Sequence, residues 1–121
     1  MAEEKNFENK VKKYLSSIDA YYFKVWGGGY QQAGIPDVIC CKNGIFIGIE
    51  LKSTNGKATE LQKYNIKQIN KSGGIGIILF PEGFAEFRKL MGEVMQCNSH
   101  IQGLEHLKNA NTSSNCIILK D

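Results

Sequence analysis

The chain has no long hydrophobic run: its longest, Ile75 to Phe80, is far too short to cross a bilayer as a helix. Its opening residues are charged rather than apolar, so no secretion signal is expected and the cytosol is the expected compartment. Four cysteines are present, but none form a CxxC pair. Cys40 and Cys41 are adjacent in an apolar segment, and adjacent strand residues point to opposite faces. They cannot serve one four-thiolate cluster, and buried reduced thiols are expected. Phosphate-cradling loops are missing too. The Gly27–Gly29 run fails GxGxxG because Gln32 stands where the third glycine belongs. Lys57 is followed by Ala58 rather than Ser or Thr, so there is no Walker A motif. His100 and His106, the only histidines, lie on a weakly patterned segment and read as structural or exposed.

What is present is a 121-residue chain with 42% hydrophobic residues, enough for one domain that buries roughly two-thirds of its unfolded surface. Phe7, Val11, Tyr14, Leu15 and Ile18 recur at helical spacing and predict a helix over residues 3–18, with Glu8 at the edge of its apolar face. Residues 21–26 are aromatic and β-branched and predict a strand. Strands are also predicted after Pro36 and over residues 45–52, joined by an Asn43–Gly44 hairpin turn. Thr59 to Gln62 reads as a capping box opening a helix that ends at Gly73–Gly74. An apolar strand over 75–80 follows, then a helix with Phe84, Phe87, Leu90, Met91, Val94 and Met95 on its core side. The order is α-β-β-β-α-β-α, an α/β fold. A crossover helix between strands implies at least one parallel pair, and hence a mixed sheet flanked by helices. In residues 96–121, Ile101, Leu104 and Leu107 suggest a short helix. Cys116 to Leu119 has strand character and could join a sheet edge of its own or a neighbouring subunit.

Charge is uneven. Residues 1–72 hold eleven lysines and seven acids, a balance of +4, while residues 73–121 hold four basic and five acidic groups, a balance of −1. Such asymmetry favours a polyanion partner. Arg88 is the only arginine. Arginine makes the commonest specific contact to guanine, so sequence readout by the chain should be poor. Lys24, Lys42, Lys57 and Lys63 are candidate phosphate contacts. The glycine run, with Gly28 and Gly29, allows close backbone approach, and Tyr30 could stack on a base. Trp26 reads as a core residue.

The basic half carries Gly34-Ile35-Pro36-Asp37-Val38-Ile39 and then Ile49-Glu50-Leu51-Lys52, with twelve residues between Asp37 and Glu50. On paired strands, Asp37 and Glu50 come close together. Glu50 and Lys52, two apart, share a face, and Leu51 points into the apolar layer. Two carboxylates make a hard-oxygen site suited to Mg²⁺, and a lysine beside it can orient or activate a water. The bland alternatives are an acid capping strand-end amides at Asp37 and a Glu50–Lys52 salt bridge. Burying an unpaired carboxylate is costly, which a divalent metal would offset. Glu8 is either a surface helix acid or a further ligand. Gln62 is either a site residue or only the third residue of its capping box.

The ordered set of P-D and E-x-K motifs resembles the PD-(D/E)xK nuclease superfamily. With Lys24 to Gly29, Gly56 to Gln62 and Gly73-Gly74-Ile75, it is most similar to stand-alone VRR-NUC domains of phages and bacteria, over Glu8 to about Phe87. The resemblance implies a restriction-endonuclease-like fold in residues 1–95, with 96–121 an extension packing on the same domain or on a dimer partner. It implies an Mg²⁺-dependent endodeoxyribonuclease in a bacterial or phage-infected cell, Mn²⁺ substituting, acting in DNA repair or recombination. Asp37, Glu50, the Leu51 carbonyl and Glu8 would hold metal, Lys52 and Gln62 would assist, and cleavage would leave a 5′-phosphate. A chain this small has little room for base reading, so branched DNA such as four-way junctions or flaps is the expected substrate, with a homodimer pairing two sites and no membrane role. The alternatives are a restriction-type or resolvase nuclease of the same fold, or a non-catalytic DNA-binding module.

Overall fold

The computed structural model describes residues 2–26, 33–96 and 115–119. Helix α1 (Ala2–Ser17) leads into strand β1 (Tyr21–Lys24), then β2 (Val38–Lys42), β3 (Ile45–Leu51), helix α2 (Glu60–Lys71), β4 (Ile75–Leu79), a 3-10 turn over Pro81–Gly83, helix α3 (Phe84–Met95) and the short β5 (Cys116–Ile117). The strands form one sheet in sequential order, β1 to β5. Pairs β1–β2, β2–β3 and β4–β5 are antiparallel, and β3–β4, bridged by α2, is parallel. This is the mixed sheet flanked by helices that the sequence implies. The expected helix around residues 101–107 lies outside the described residues, as do Cys97 and both histidines.

The hairpin between β2 and β3 turns at Asn43 and Gly44, both with positive φ (57° and 78°), the left-handed pair that a two-residue hairpin favours. Antiparallel register then sets the faces: Val38 opposes Ile49, and Cys40 opposes Ile47. Those residues, with Leu51, Ile75, Ile77 and Leu79, form the core face. Against it pack Phe7, Val11 and Leu15 of α1 and Phe87, Leu90, Met91 and Val94 of α3.

The other face carries Ile39, Cys41, Phe46, Gly48, Glu50, Gly76 and Ile78. Helix α2 covers its β3–β4 half, and glycine makes that seat possible. A Cβ at Gly76 would come 2.6 Å from the Ile66 carbonyl oxygen, and one at Gly48 2.5 Å from the Ile69 side chain. Asn70, buried on α2, takes the Gly76 amide on its Oδ1 (2.8 Å) and donates to the Leu119 carbonyl (2.7 Å). One amide thus ties α2, β4 and the segment after β5 together.

Among the described residues, nothing covers the β1–β2 half of this face. Tyr21, Cys41 and Phe46 form one cross-strand row, and Phe23 and Ile39 stand in the next. Tyr21 is 73% exposed, and Phe23 and Phe46 are each 47% exposed. Cys40 is buried while Cys41 is exposed, as adjacent strand residues must be. Trp26, read from the sequence as core, is 83% exposed. Strand β1 ends at Lys24, so Trp26 lies beyond the paired backbone that would have turned it inward.

Candidate active site

The parallel pair β3–β4 ends with Leu51 beside Leu79, and the Lys52 amide donates to the Leu79 carbonyl at 2.9 Å. Asp37 immediately precedes β2. Continuing the β2–β3 register by one pair sets it opposite Glu50. The Leu51 amide donates to Asp37 Oδ2 at 2.9 Å, so this carboxylate is pinned to the strand that carries Glu50. Lys52, two residues on, brings Nζ to 3.5 Å from Glu50 Oε2.

Glu50 is 2% exposed, and its Oε1 has no hydrogen-bonding partner among the described residues. Burial pushes its pKa up to about 8; the charge and hydrogen bond of Asp37 push the same way, against Lys52. A second carboxyl group held this close to a buried one disfavours ionisation of Glu50. The centre is therefore short of positive charge at the oxygen of Glu50 that Lys52 does not reach.

Glu8 enters from α1 and is 8% exposed. Lys24 Nζ lies 2.8 Å from its Oε1, and Lys12 and Lys5 lie 3.2 and 3.4 Å from its Oε2. Burial alone would raise the Glu8 pKa, but the bonds from Lys24 and Lys12 outweigh it and lower the value to about 2. Lys24 also lies 3.8 Å from Asp37 Oδ1. Burial works against its charge, but Glu8, Asp37 and Glu50 outweigh that and raise its pKa. Lys24 thus joins Glu8 to the Asp37–Glu50 pair. Among the described residues no three His, Cys, Asp or Glu side chains converge as a ready ion cage.

The structure brings Glu8, Asp37, Glu50, Leu51 and Lys52 to one end of the sheet. Lys24, read from the sequence as a phosphate contact, is committed to carboxylates there. Gln62 Oε1 accepts from the Thr59 amide at 2.9 Å, and the Gln62 amide donates to Thr59 Oγ1 at 3.1 Å, so both halves of the capping box form. Lys57 is exposed just before α2, Lys63 pairs with Glu60 at 3.5 Å, and Lys42 ends β2. Gly28, Gly29 and Tyr30 lie outside the described residues. Asn70 went unnoticed in the sequence. Its signal was an asparagine on the apolar side of α2, next to Ile66 and Ile69.

No family model and no curated protein matches the chain. A solved structure does: Hjc, a Holliday junction resolvase from the archaeal hyperthermophile Archaeoglobus fulgidus, has a similar fold. The TM-score is 0.51 at 15% identity, and the match covers 63% of this chain and 66% of that one. The likeness is one of fold.

Proposed function

We propose that this chain is a divalent-metal-dependent endonuclease of the PD-(D/E)xK type that hydrolyses phosphodiesters of branched DNA, and that it belongs with the stand-alone VRR-NUC proteins. One observation carries the reading: the Asp37, Glu50 and Lys52 side chains meet at one sheet end, with Glu50 Oε1 buried and unpartnered. A salt bridge to Lys52 satisfies only the other oxygen. The fold similarity to a protein named as a junction resolvase supports a structure-led substrate over a sequence-led one.

The donor set fits a divalent cation. Carboxylates of Asp37 and Glu50 would hold Mg²⁺ or Mn²⁺, joined by the Leu51 carbonyl, since the Leu51 backbone already contacts Asp37. When bound, such an ion supplies positive charge to polarise a phosphate oxygen and to acidify a water. The chain supplies the rest. The Leu51 amide fixes Asp37 in place. Lys52, its side chain mostly buried, directs an ammonium at the same point and orients the attacking water or the phosphate oxygens. Lys24 holds Glu8 ionised beside the pair, available as a further ligand.

Residues 1–95 would form the nuclease unit, with residues 96–121 extending it. A homodimer would place two centres on one junction. The uncovered face of Tyr21, Phe23, Ile39, Cys41 and Phe46 supports such pairing. It carries no lysine in a chain that has fourteen, so it suits an apolar protein surface rather than phosphate.

The test is incubation with four-way junctions, flaps, nicked and linear duplexes, in Mg²⁺, Mn²⁺ or EDTA. Cutting of branched DNA that requires metal is expected. Binding without cutting under every metal would replace this reading with the DNA-binding module.

A further inference from the structure

We infer that a cleft beside the Asp37–Glu50 pair receives one unpaired nucleotide of the DNA strand, its base against an apolar floor and its phosphates toward two lysines. This rests on the nuclease reading and names what its site would grip. The cleft holds about 570 Å³ and lies between the start of α2 and strands β4 and β5. That is within the range of small-ligand sites, roughly 300–1,000 Å³.

The register ties the cleft to the candidate centre. Ile78 on its floor is the direct neighbour of Glu50 across the parallel pair, and Ile117 is the neighbour of Ile78 on the far side. All three side chains share the face that α2 only partly covers. Phe80, two residues past Ile78, stands level with Lys52, whose amide bonds to Leu79. Neighbouring strands are about 4.8 Å apart, so the floor begins a single strand spacing from Glu50. A nucleotide seated there would be next to, or one removed from, the phosphate at the carboxylates.

The chemistry of the walls selects the occupant. Ile78, Phe80, Ile117 and Leu119 offer apolar and aromatic surface, and the Leu119 carbonyl is already spent on Asn70. Lys57 and Lys63 stand at the rim, with Glu60 offsetting one of them. An apolar floor under a cationic rim fits a flat base carrying phosphates, and fits an apolar peptide poorly. A base still paired and stacked in a duplex cannot enter; one already unpaired beside a junction enters at least cost.

Binding is measured in Ca²⁺, by fluorescence anisotropy, for a flap carrying one abasic site walked along the unpaired strand. The wild-type protein should lose about tenfold in affinity when the abasic site falls at one position beside the junction, and little elsewhere. Ala58→Trp, at the cleft wall, should weaken the intact flap similarly and erase the difference between intact and abasic DNA. The abasic walk needs no variant, so a misfolded Ala58→Trp leaves it decisive. Equal affinity for every abasic position overturns the cleft proposal; metal-dependent cutting of the same flap would then leave the nuclease reading standing. No binding and no cutting of any DNA overturns both. A change in sedimentation of folded Ala58→Trp, with no abasic effect in the wild type, assigns the cleft to a protein contact and overturns it as well.

Discussion

Lys24 Nζ sits 2.8 Å from Glu8 Oε1, joining the first helix to the first strand at the edge of the candidate centre. Its removal should be felt in stability as well as activity. Lys24→Met leaves a mostly buried carboxylate without its nearest partner, at a cost of about 1–3 kcal/mol at neutral pH. Glu8 has a folded pKa lowered to about 2, so its contribution is present above the usual carboxylate value and is lost as pH falls through about 2. Thermal unfolding should therefore show a gap between wild type and variant that is full at pH 7 and narrows toward pH 2.

Glu50 should behave in the opposite sense. Its folded pKa is raised to about 8 from 4.5, so the stability of the metal-free protein is fully present below 4.5 and falls as pH rises through about 8. Glu50→Gln mimics the protonated form. It should match the wild type below pH 4.5 and exceed it at pH 7 by up to roughly 3 kcal/mol, at 1.36 kcal/mol per pH unit. Mg²⁺ or Mn²⁺ should raise the melting temperature of the wild type at pH 8 and leave that of Glu50→Gln nearly unchanged. A variant no more stable than wild type at pH 8 would refute the buried-carboxylate account.

Cleavage itself should separate the ligands from the lysine. Asp37→Ala or Glu50→Ala should abolish cutting, while DNA binding persists or tightens because a negative charge has gone. Lys52→Ala should slow cutting by about 10²-fold or more, the scale of one positioned catalytic group, and keep its metal-induced rise in melting temperature. Gel assays on one junction, with unfolding curves for each variant, decide it. Wild-type cutting by folded Lys52→Ala would remove that lysine from the mechanism.

The local signals that made this fold legible were strong ones. Asn43–Gly44 demanded its hairpin, the Thr59–Gln62 pair its cap, and the apolar Ile75–Leu79 run its buried strand. Period-two alternation then sufficed to put Glu50 and Lys52 on one face and Leu51 on the other. What the sequence hid depends on long-range placement. Nothing local tells that Lys24 points back to a helix acid sixteen positions earlier, so it read as one more surface lysine. Trp26 was misjudged because aromatic character marks a strand but not where pairing stops. The apolar cleft needed β5 beside β4, a contact between residues nearly forty positions apart. The uncovered face needed the knowledge that α2 lies over β3 and β4 only.

That uncovered face carries the prediction on assembly. Sedimentation should show a dimer at micromolar concentration. Phe23→Asp, on the exposed row beside Ile39, should shift it to monomer without loss of secondary structure, since a charge in an apolar contact goes unpaired. Dimer persistence in Phe23→Asp would move the contact elsewhere, and a wild-type monomer would remove the two-centre junction arrangement while leaving the nuclease reading intact.

The last prediction concerns what the protein reads on DNA. With Arg88 its only arginine, the fork that reads guanine in the groove is nearly absent, and under the proposed function its lysines would act as point charges on phosphates. Lys24 is held by carboxylates, so the load falls on lysines such as Lys42, Lys57 and Lys63. Each neutralised phosphate releases counterions, and affinity should fall steeply as salt rises. Titrating one junction in two unrelated sequences, in Ca²⁺, should give affinities within about threefold, under 1 kcal/mol. Both should weaken in parallel with salt, and Lys57→Ala should flatten the salt slope by about one unit without changing the ratio between sequences. A strong preference for one sequence, or affinity indifferent to salt, would favour a restriction-type enzyme of the same fold.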